Sequence, residues 1–546
     1  MDNNTLVYLK PNVVLEPLYD RWYAWTHLIS PATSAMNMVG RHLKIMDSYI
    51  LAPKAHQKAV ANPKMLGGPF MDFETERVAD VKALKEATTT SGAQMLEFAK
   101  AVGELEELLK TKAKGYSLHD LYPEIPEALK GYVELTYDLN HRPSYRFFEA
   151  LLYHSKYYRE DAQSIALWIT NNDERPFVLS TPRLDEPHIL HLDMPFAHKA
   201  IDEFCKMRRK PQKLGYIKEL MGITPEQEAL FDSFFTEESY KPYEKYTGDK
   251  IRMRYFGHAC VLLETKDVSI LVDPLVSYYG FQSDVAHFSD ADLPDEIDYV
   301  LLTHNHQDHI IFETLLPLRH RIKNIIVPRT NSGKLQDPNL KIMFEAIGFD
   351  NIYELTDMVD PIKFKDCTIT GIPFLGEHGD LDIRAKVCHH VKVGEFSLMF
   401  MADSCNIQPE IYDHVQKVIG DIDVMFLGME CDGAPLSWLY GPLLAEPIAR
   451  DKDDSRRFSG SNHPRGMALV DSFNPQEVYV YAMGSEPWIK FISSIKYTDE
   501  SNPIIQSNRL VEDCMKRGVT SERLYGEKEI LYDKVPYRQQ KDEVLI

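Results

Sequence analysis

From residue 76 to 110 apolar side chains recur at spacings of three and four, the period of a helix that buries one face. Leu105, Leu108 and Leu109 carry that pattern to its end. A second helical stretch is predicted over 146–168, and short strands around 177–179 and 189–192. Pro211 ends a helix beside the basic run 206–213. Residues 1 to about 245 therefore read as mainly helical. The segment 236–250, TEESYKPYEKYTGDK, is polar and contains Pro242 and Gly248, which marks a linker. Beyond it the texture changes. Short apolar or alternating runs at 251–263, 268–272, 299–302, 325–327, 368–372, 397–401, 424–427 and 478–481 are separated by turns and helical stretches, a layout of many strands interleaved with helices.

At 546 residues the chain is too long for one hydrophobic core, so two domains are expected, 1–247 and 248–546. The net charge of −21 would repel phosphate over most of the surface, which argues against nucleic acid as a partner. The start, MDNNTLVYLKPNVVLEP, has no basic region followed by an apolar run, so no secretory signal is expected. No stretch reaches the roughly 18 apolar residues of a membrane helix. The seven cysteines, at 205, 260, 367, 388, 405, 431 and 514, include no CxxC pair and are odd in number. Reduced thiols in the cytoplasm fit this pattern better than a disulfide framework or a zinc–thiolate site.

The decisive run is Leu301-Leu-Thr-His304-Asn-His306-Gln-Asp308-His309-Ile. A buried strand ends and a polar cluster begins at once. Alternation in extended chain puts His304 and His306 on one side, and Asp308 and His309 follow as the chain turns toward a helix. Imidazole and carboxylate are ligands for zinc, iron or manganese. Upstream stand Tyr255-Phe-Gly257-His258-Ala and Ile270-Leu-Val-Asp273-Pro.

An HxHxDH run after a strand, preceded by GHA and LVDP, resembles the metallo-β-lactamase superfamily over roughly 250–490. That resemblance implies an αββα sandwich with two metals at one edge of its strands. It also implies further ligands. Asp403, in LMFMADSCN, stands where the superfamily has its bridging aspartate, and His463, in SNHPRGMALVDSFNP, where some branches have their last histidine. For the remaining ligand, Pro373-Phe-Leu-Gly376-Glu377-His378 offers two neighbours. His378 would suit zinc, whereas Glu377 would add a carboxylate and favour iron.

The N-terminal half carries a second resemblance. Tyr8-Leu-Lys10-Pro-Asn12, Arg21-Trp22-Tyr-Ala-Trp25 and Ile29-Ser-Pro31-Ala32-Thr33, together with Gly376-Glu377-His378, Ala402-Asp403-Ser404 and Gly428-Met429-Glu430-Cys-Asp432-Gly433, are similar to the di-iron β-hydroxylases typified by that of chloramphenicol biosynthesis. The resemblance implies an α+β architecture, a mainly helical N-terminal domain followed by the αββα sandwich. It implies two iron ions as cofactor, with O₂ as co-substrate and an external electron donor. His304, His306 and Glu377 would hold one iron, and Asp308, His309 and His463 the other. Asp403 would bridge them, and Glu430 would stand beside the cluster as a catalytic acid. The implied substrate is an amino acid held as a thioester on the carrier domain of a nonribosomal peptide synthetase, and the implied assembly is a homodimer. The N-terminal domain would then form dimer contacts or a wall of the substrate channel, with Trp22, Tyr23 and Trp25 either at that interface or in the core. The run Lys206-Met-Arg208-Arg209-Lys210-Pro-Gln-Lys213 offers itself to an acidic carrier, or is simply a solvated charge run. A dizinc hydrolase on the same fold shares every histidine ligand and is the alternative. A binding protein without catalysis fits poorly, since no ligand position is lost.

Overall fold

The computed structural model describes residues 2–172, 174–280 and 282–537. In its N-terminal region the apolar strand Val13–Tyr19 is buried along its whole length and pairs antiparallel with Gln163–Ile169. Trp22–Tyr23 and Leu190–Asp193 complete a four-stranded sheet. Leu6–Leu9 joins Gln212–Lys213 and Phe235–Thr236 in a smaller one. Helices Pro31–Asn37, Leu43–Leu51, Pro53–Val60, Val78–Ser91, Ala93–Lys112 and Lys199–Lys206 are among those around them, with a π-helical turn at Met38–His42 and a hairpin of Val133–Tyr137 with Pro143–Phe147.

Three local expectations change. The helix expected over 76–110 is two helices divided at Gly92, where a Cβ would lie 2.6 Å from Met38 Cε. Of 146–168 only Glu149–Tyr153 is α-helical. Its end is the buried strand Gln163–Ile169, an apolar run whose period cannot separate buried strand from buried helix. Residues 177–179 form no strand, and Val178 N–H donates instead to Phe491 O in the C-terminal region.

Residues 237–250 are irregular, and two seven-stranded sheets follow. The first runs in the order Ile352–Leu355, Ile325–Pro328, Tyr299–Leu301, Ser269–Val272, Cys260–Glu264, Ile251–Gly257, Lys528–Tyr532. The second runs Ile362–Phe364, Cys367–Ile372, Cys388–Val393, Phe396–Phe400, Val424–Gly428, Glu477–Tyr481, Thr520–Arg523. Alternation sends Met253, Tyr255, Val261 and Leu263 of one sheet against Val391, Leu398, Phe400 and Phe426 of the other. The opposite face of the second sheet is covered by helices Pro409–Ile419, His463–Phe473 and Asn502–Lys516. The opposite face of the first, through Phe256, Leu262 and Val300, shares one continuous core with helix Phe312–Leu318 and with Leu15, Trp25 and Phe204 of the N-terminal region. This is the expected αββα sandwich, with the N-terminal region packed as an extra layer on one side. No helix among the described residues is long and apolar enough to cross a membrane.

Strands Ser269–Val272 and Tyr299–Leu301 are parallel, as are Phe396–Phe400, Val424–Gly428 and Glu477–Tyr481. Their carboxyl ends therefore open on one edge, where α/β sheets commonly present chemistry.

Candidate metal centre

The loop after Tyr299–Leu301 delivers His304, His306, Asp308 and His309 to that edge, anchored by Asn305 N–H to Ala385 O at 3.0 Å. Asp403 follows Phe396–Phe400, and Glu377 follows Cys367–Ile372. The side chains form a chain of alternating imidazole and carboxylate. Glu377 Oε2 lies 3.0 Å from His306 Nδ1. Asp403 Oδ2 lies 3.8 Å from His304 Nε2 and 3.0 Å from His309 Nε2. Asp308 Oδ2 lies 3.9 Å from His309 Nε2 and 3.4 Å from His258 Nε2. Three compact ligand groupings result: His304, His306 and Glu377; His304, His309 and Asp403; His258, Asp308 and His309. Glu377, and not its neighbour His378, is the member that joins His304 and His306.

Deeper groups fix which nitrogen each ring presents. Thr303 Oγ1 donates to Asp273 Oδ2 at 2.5 Å, so the 3.0 Å contact to His304 Nδ1 is an N–H donated back to the hydroxyl. His309 Nδ1–H donates to Asp273 Oδ2 at 2.8 Å. Both rings are thereby oriented with Nε2 toward the centre, the arrangement metal-binding histidines use. His258 is the opposite case. Its Nδ1 accepts Gly484 N–H at 3.2 Å, so the proton sits on Nε2 and points at Asp308. His258 Nε2 thus faces Asp308 at 3.4 Å without a hydrogen-bond partner among the described residues, and its position would also suit a metal.

The electrostatics are those of a site built for cations. Burial pushes the Glu377 carboxyl up to about 7, against the pull of His306. Burial alone would also raise Asp308, but His309 and His258 hold it below the usual carboxylate range. His304 is driven well below its ordinary value by burial and by the neighbouring rings of His309 and His306. His304 Nε2 and Asp403 Oδ1 are buried without a hydrogen-bond partner among the described residues, a costly state that a bound cation relieves. Strained backbone gathers here too. His258, Asp273, Glu377, Ala402 and Ala482 all have positive φ, between 37° and 68°. Gly428 is required, because a Cβ there would lie 2.3 Å from Ala402 O and 2.8 Å from Asp403 Oδ1.

Comparison with known proteins places this geometry. Residues 8–239 match the family described as diiron non-heme beta-hydroxylase N-terminal domain, and residues 252–433 match the beta-lactamase superfamily domain. A curated Streptomyces venezuelae enzyme, named as the 3-hydroxylase of a 4-amino-L-phenylalanyl group on the CmlP peptidyl carrier protein, is 38% identical over 524 residues, 95% of this chain and 98% of that one. The chain belongs to the diiron β-hydroxylases. The crystal structure of CmlA, a diiron beta-hydroxylase from Streptomyces venezuelae, superposes with a TM-score of 0.91 at 36% identity, covering 97% of this chain and 100% of that one. A mutant of the same hydroxylase gives a TM-score of 0.88 at 36% identity, covering 96% and 100%.

In this diiron β-hydroxylase one sequence-derived ligand moves and Glu430 stays beside the cluster. His463 does not reach the centre. Its Nε2 lies 3.0 Å from Asp513 Oδ2 and its N–H donates to Gln506, both on helix Asn502–Lys516, so the ring is turned outward against that helix. Glu430 belongs to none of the three groupings. Its Oε1 accepts Gly433 N–H at 2.7 Å and Asp432 N–H at 3.1 Å, and burial pushes its carboxyl up to about 7. It lines, with His306, Asp308, Glu377 and Asp403, a cavity of about 380 Å³. Leu66 and Gly67 of the N-terminal region form part of the same wall.

Trp22, Tyr23 and Trp25 are core residues, each under 5% exposed, and Trp22 stacks on His42 at 4.1 Å. The basic run is largely spent inside the fold. Arg208 is buried and donates to Val13 O, Arg209 binds Asp295 and the carbonyls of Asp290 and Leu293, and Lys206 pairs with Glu203. Asp273 and Thr303 had no assigned role in the sequence. The only hint was the position of Asp273 in LVDP, at the end of the strand beside the one that feeds the histidines.

Proposed function

We propose that this diiron β-hydroxylase inserts one oxygen atom of O₂ at the β-carbon of an amino acid presented as a thioester on a nonribosomal peptide synthetase carrier domain. An external donor supplies the two further electrons. The observation that carries the reading is Glu377, a buried carboxylate beside His306 in the position a zinc hydrolase of this fold fills with histidine. The substrate of the Streptomyces venezuelae relative supports the carrier-bound amino acid.

In this reading His304, His306 and Glu377 would hold one iron and Asp308 and His309 the other, with Asp403 close enough to His304 and His309 to serve both. When bound, the two irons supply the activation of O₂ that lets one of its atoms enter a C–H bond while the other leaves as water. Asp273 and Thr303 keep the ring nitrogens aimed, and His258 keeps Asp308 in place. Glu430, lining the cavity and poised near neutrality, holds or releases a proton there. Trp438, Phe458 and Leu66 wall the cavity and keep bulk water from the reacting carbon.

A cytoplasmic location fits the seven unpaired cysteines, and a homodimer belongs to the same reading. The test is direct. Iron-reconstituted protein is given aminoacyl-loaded carrier, reductant and O₂, and the carrier-bound group is weighed. A gain of one oxygen atom, with iron in the protein from its native host, supports the reading. Zinc at both positions and no gain with any aminoacyl group would leave a hydrolase.

A further inference from the structure

Beside the metal cavity lies a second one of about 480 Å³, and the two share Gly67, Pro435 and Trp438. Trp438 Nε1 donates to Gly67 O at 2.8 Å, so one indole and one carbonyl stand between them. The second cavity has apolar walls, including Phe70, Phe177 and Leu179, and two cations, Arg41 and Lys44. No carboxylate lines it, in a chain with 82 acidic residues and a net charge of −21. Among the described residues neither cation is in an ion pair. Arg41 spends one nitrogen on the carbonyls of Trp438 and Leu439, while its buried Nε has no partner. Lys44 is exposed. Gly40 lets this wall close on Pro442, since a Cβ there would lie 2.8 Å from Pro442 Cα.

Resting on the carrier-bound reading above, the geometry points to the second cavity as the seat of the carrier's phosphopantetheine arm. The phosphate sits at Lys44 and Arg41, the pantetheine chain lies along Phe70, Phe177 and Leu179, and the thioester passes Trp438 into the metal cavity. The chemistry fits at both ends. A phosphodiester needs positive charge, which Lys44 and Arg41 supply, and a thin amide chain suits apolar walls with few polar groups. In the run 206–213 both arginines are already bound within the fold and Lys206 is paired with Glu203.

The experiment titrates the full-length iron protein with 4′-phosphopantetheine, pantetheine and inorganic phosphate by calorimetry. The expected result is that the phosphorylated arm binds about ten-fold more tightly than pantetheine, and that phosphate alone binds more weakly than either. Lys44→Glu removes the preference, Lys44→Ala reduces it, and Lys210→Glu, in the basic run, leaves it intact. Unchanged melting temperatures confirm that the variants are folded. Equal affinities in the wild type, absence of binding, or a preference that survives Lys44→Glu overturns the arm site. Hydroxylation of carrier-bound aminoacyl groups is scored in parallel. Turnover without the Lys44 effect sinks only the arm site. Lys44-dependent binding of the arm without oxygen gain on any carrier-bound group sinks only the reaction.

Discussion

Glu377 is held in a left-handed backbone conformation, φ +68°, behind Gly376, where a Cβ would lie 2.7 Å from Cys405 Cβ. Strain of roughly 1–3 kcal/mol at such a residue persists only where the surroundings impose it. The consequence is a third carboxylate beside Asp308 and Asp403, and anionic oxygen favours iron over zinc. Glu377→His is expected to lower the iron-to-zinc ratio of protein grown with both metals and to reduce hydroxylation. Metal analysis showing iron retained with full turnover would refute it. His258 yields a sharper distinction. As a neighbour of Asp308 and not a ligand it is replaceable by an amide, so His258→Gln is expected to keep both irons, and His463→Ala likewise. Loss of one iron from His258→Gln would make His258 a ligand after all. Asp273→Asn frees the ring of His309 to turn, and about a 10- to 100-fold loss of metal affinity is expected, the usual cost of removing a group that orients a ligand. Competition with a chelator measures it.

Among the elements, helix Leu340–Ala346 of the sandwich begins on a residue of the N-terminal region. Glu149 Oε2 accepts Asn339 N–H at 3.0 Å, and Asn339 caps the helix. Burial pushes the Glu149 carboxyl from the ordinary 4.5 up to about 8. A raised acid binds its proton more tightly folded than unfolded, so its contribution to stability is complete below 4.5 and is lost as pH rises through about 8. Glu149→Gln is expected to flatten the fall of melting temperature over that window, which a pH series of thermal melts reads. The elements themselves were unequally legible. Many strands of the sandwich stand out as short apolar runs between turn residues, and those feeding the metal loop agree within a residue or two, whereas Ile352–Leu355, Ile362–Phe364, Cys388–Val393, Thr520–Arg523 and Lys528–Tyr532 carry too many polar residues or too short a run to be expected. Gln163–Ile169 was missed because a strand buried on both faces has no alternation to betray it. The HxHxDH run announced itself through ligand density in a few consecutive positions. His463 misled because a histidine at a helix start says nothing of which way its ring turns. Asp273 stayed silent because its role appears only when two neighbouring strand ends are seen together.

At the scale of the whole molecule, the linker expected at 236–250 suggests two independent bodies, yet the packing argues for one. Leu15, Trp25 and Phe204 lie in the same core as Phe256, Leu302 and Leu315. A buried ionic cluster crosses the same boundary. Arg175 grips Glu313 through two nitrogens at 2.8 and 3.1 Å, Tyr278 donates to Glu313 at 2.7 Å, and Arg183 holds Glu16 at 2.7 Å through each of two. Removing one member leaves charge stranded in a dry interior, a loss of about 3–5 kcal/mol. Glu313→Ala is therefore expected to lower the denaturant midpoint severely for the entire chain. The same reasoning fixes the form of unfolding. If the regions 1–247 and 248–546 that we propose as domains were held only by a tether, calorimetry would resolve two transitions. With a shared core, the release of either region exposes apolar surface on the other, so the holoprotein is expected to melt in a single transition. A fragment beginning at residue 248 is expected to aggregate, since the outer face of its first sheet loses its cover. Two well-separated transitions, with Glu313→Ala shifting only one, would show instead that the N-terminal layer docks on a sandwich that stands by itself. The wall that Leu66 and Gly67 lend to the metal cavity would then be a movable one.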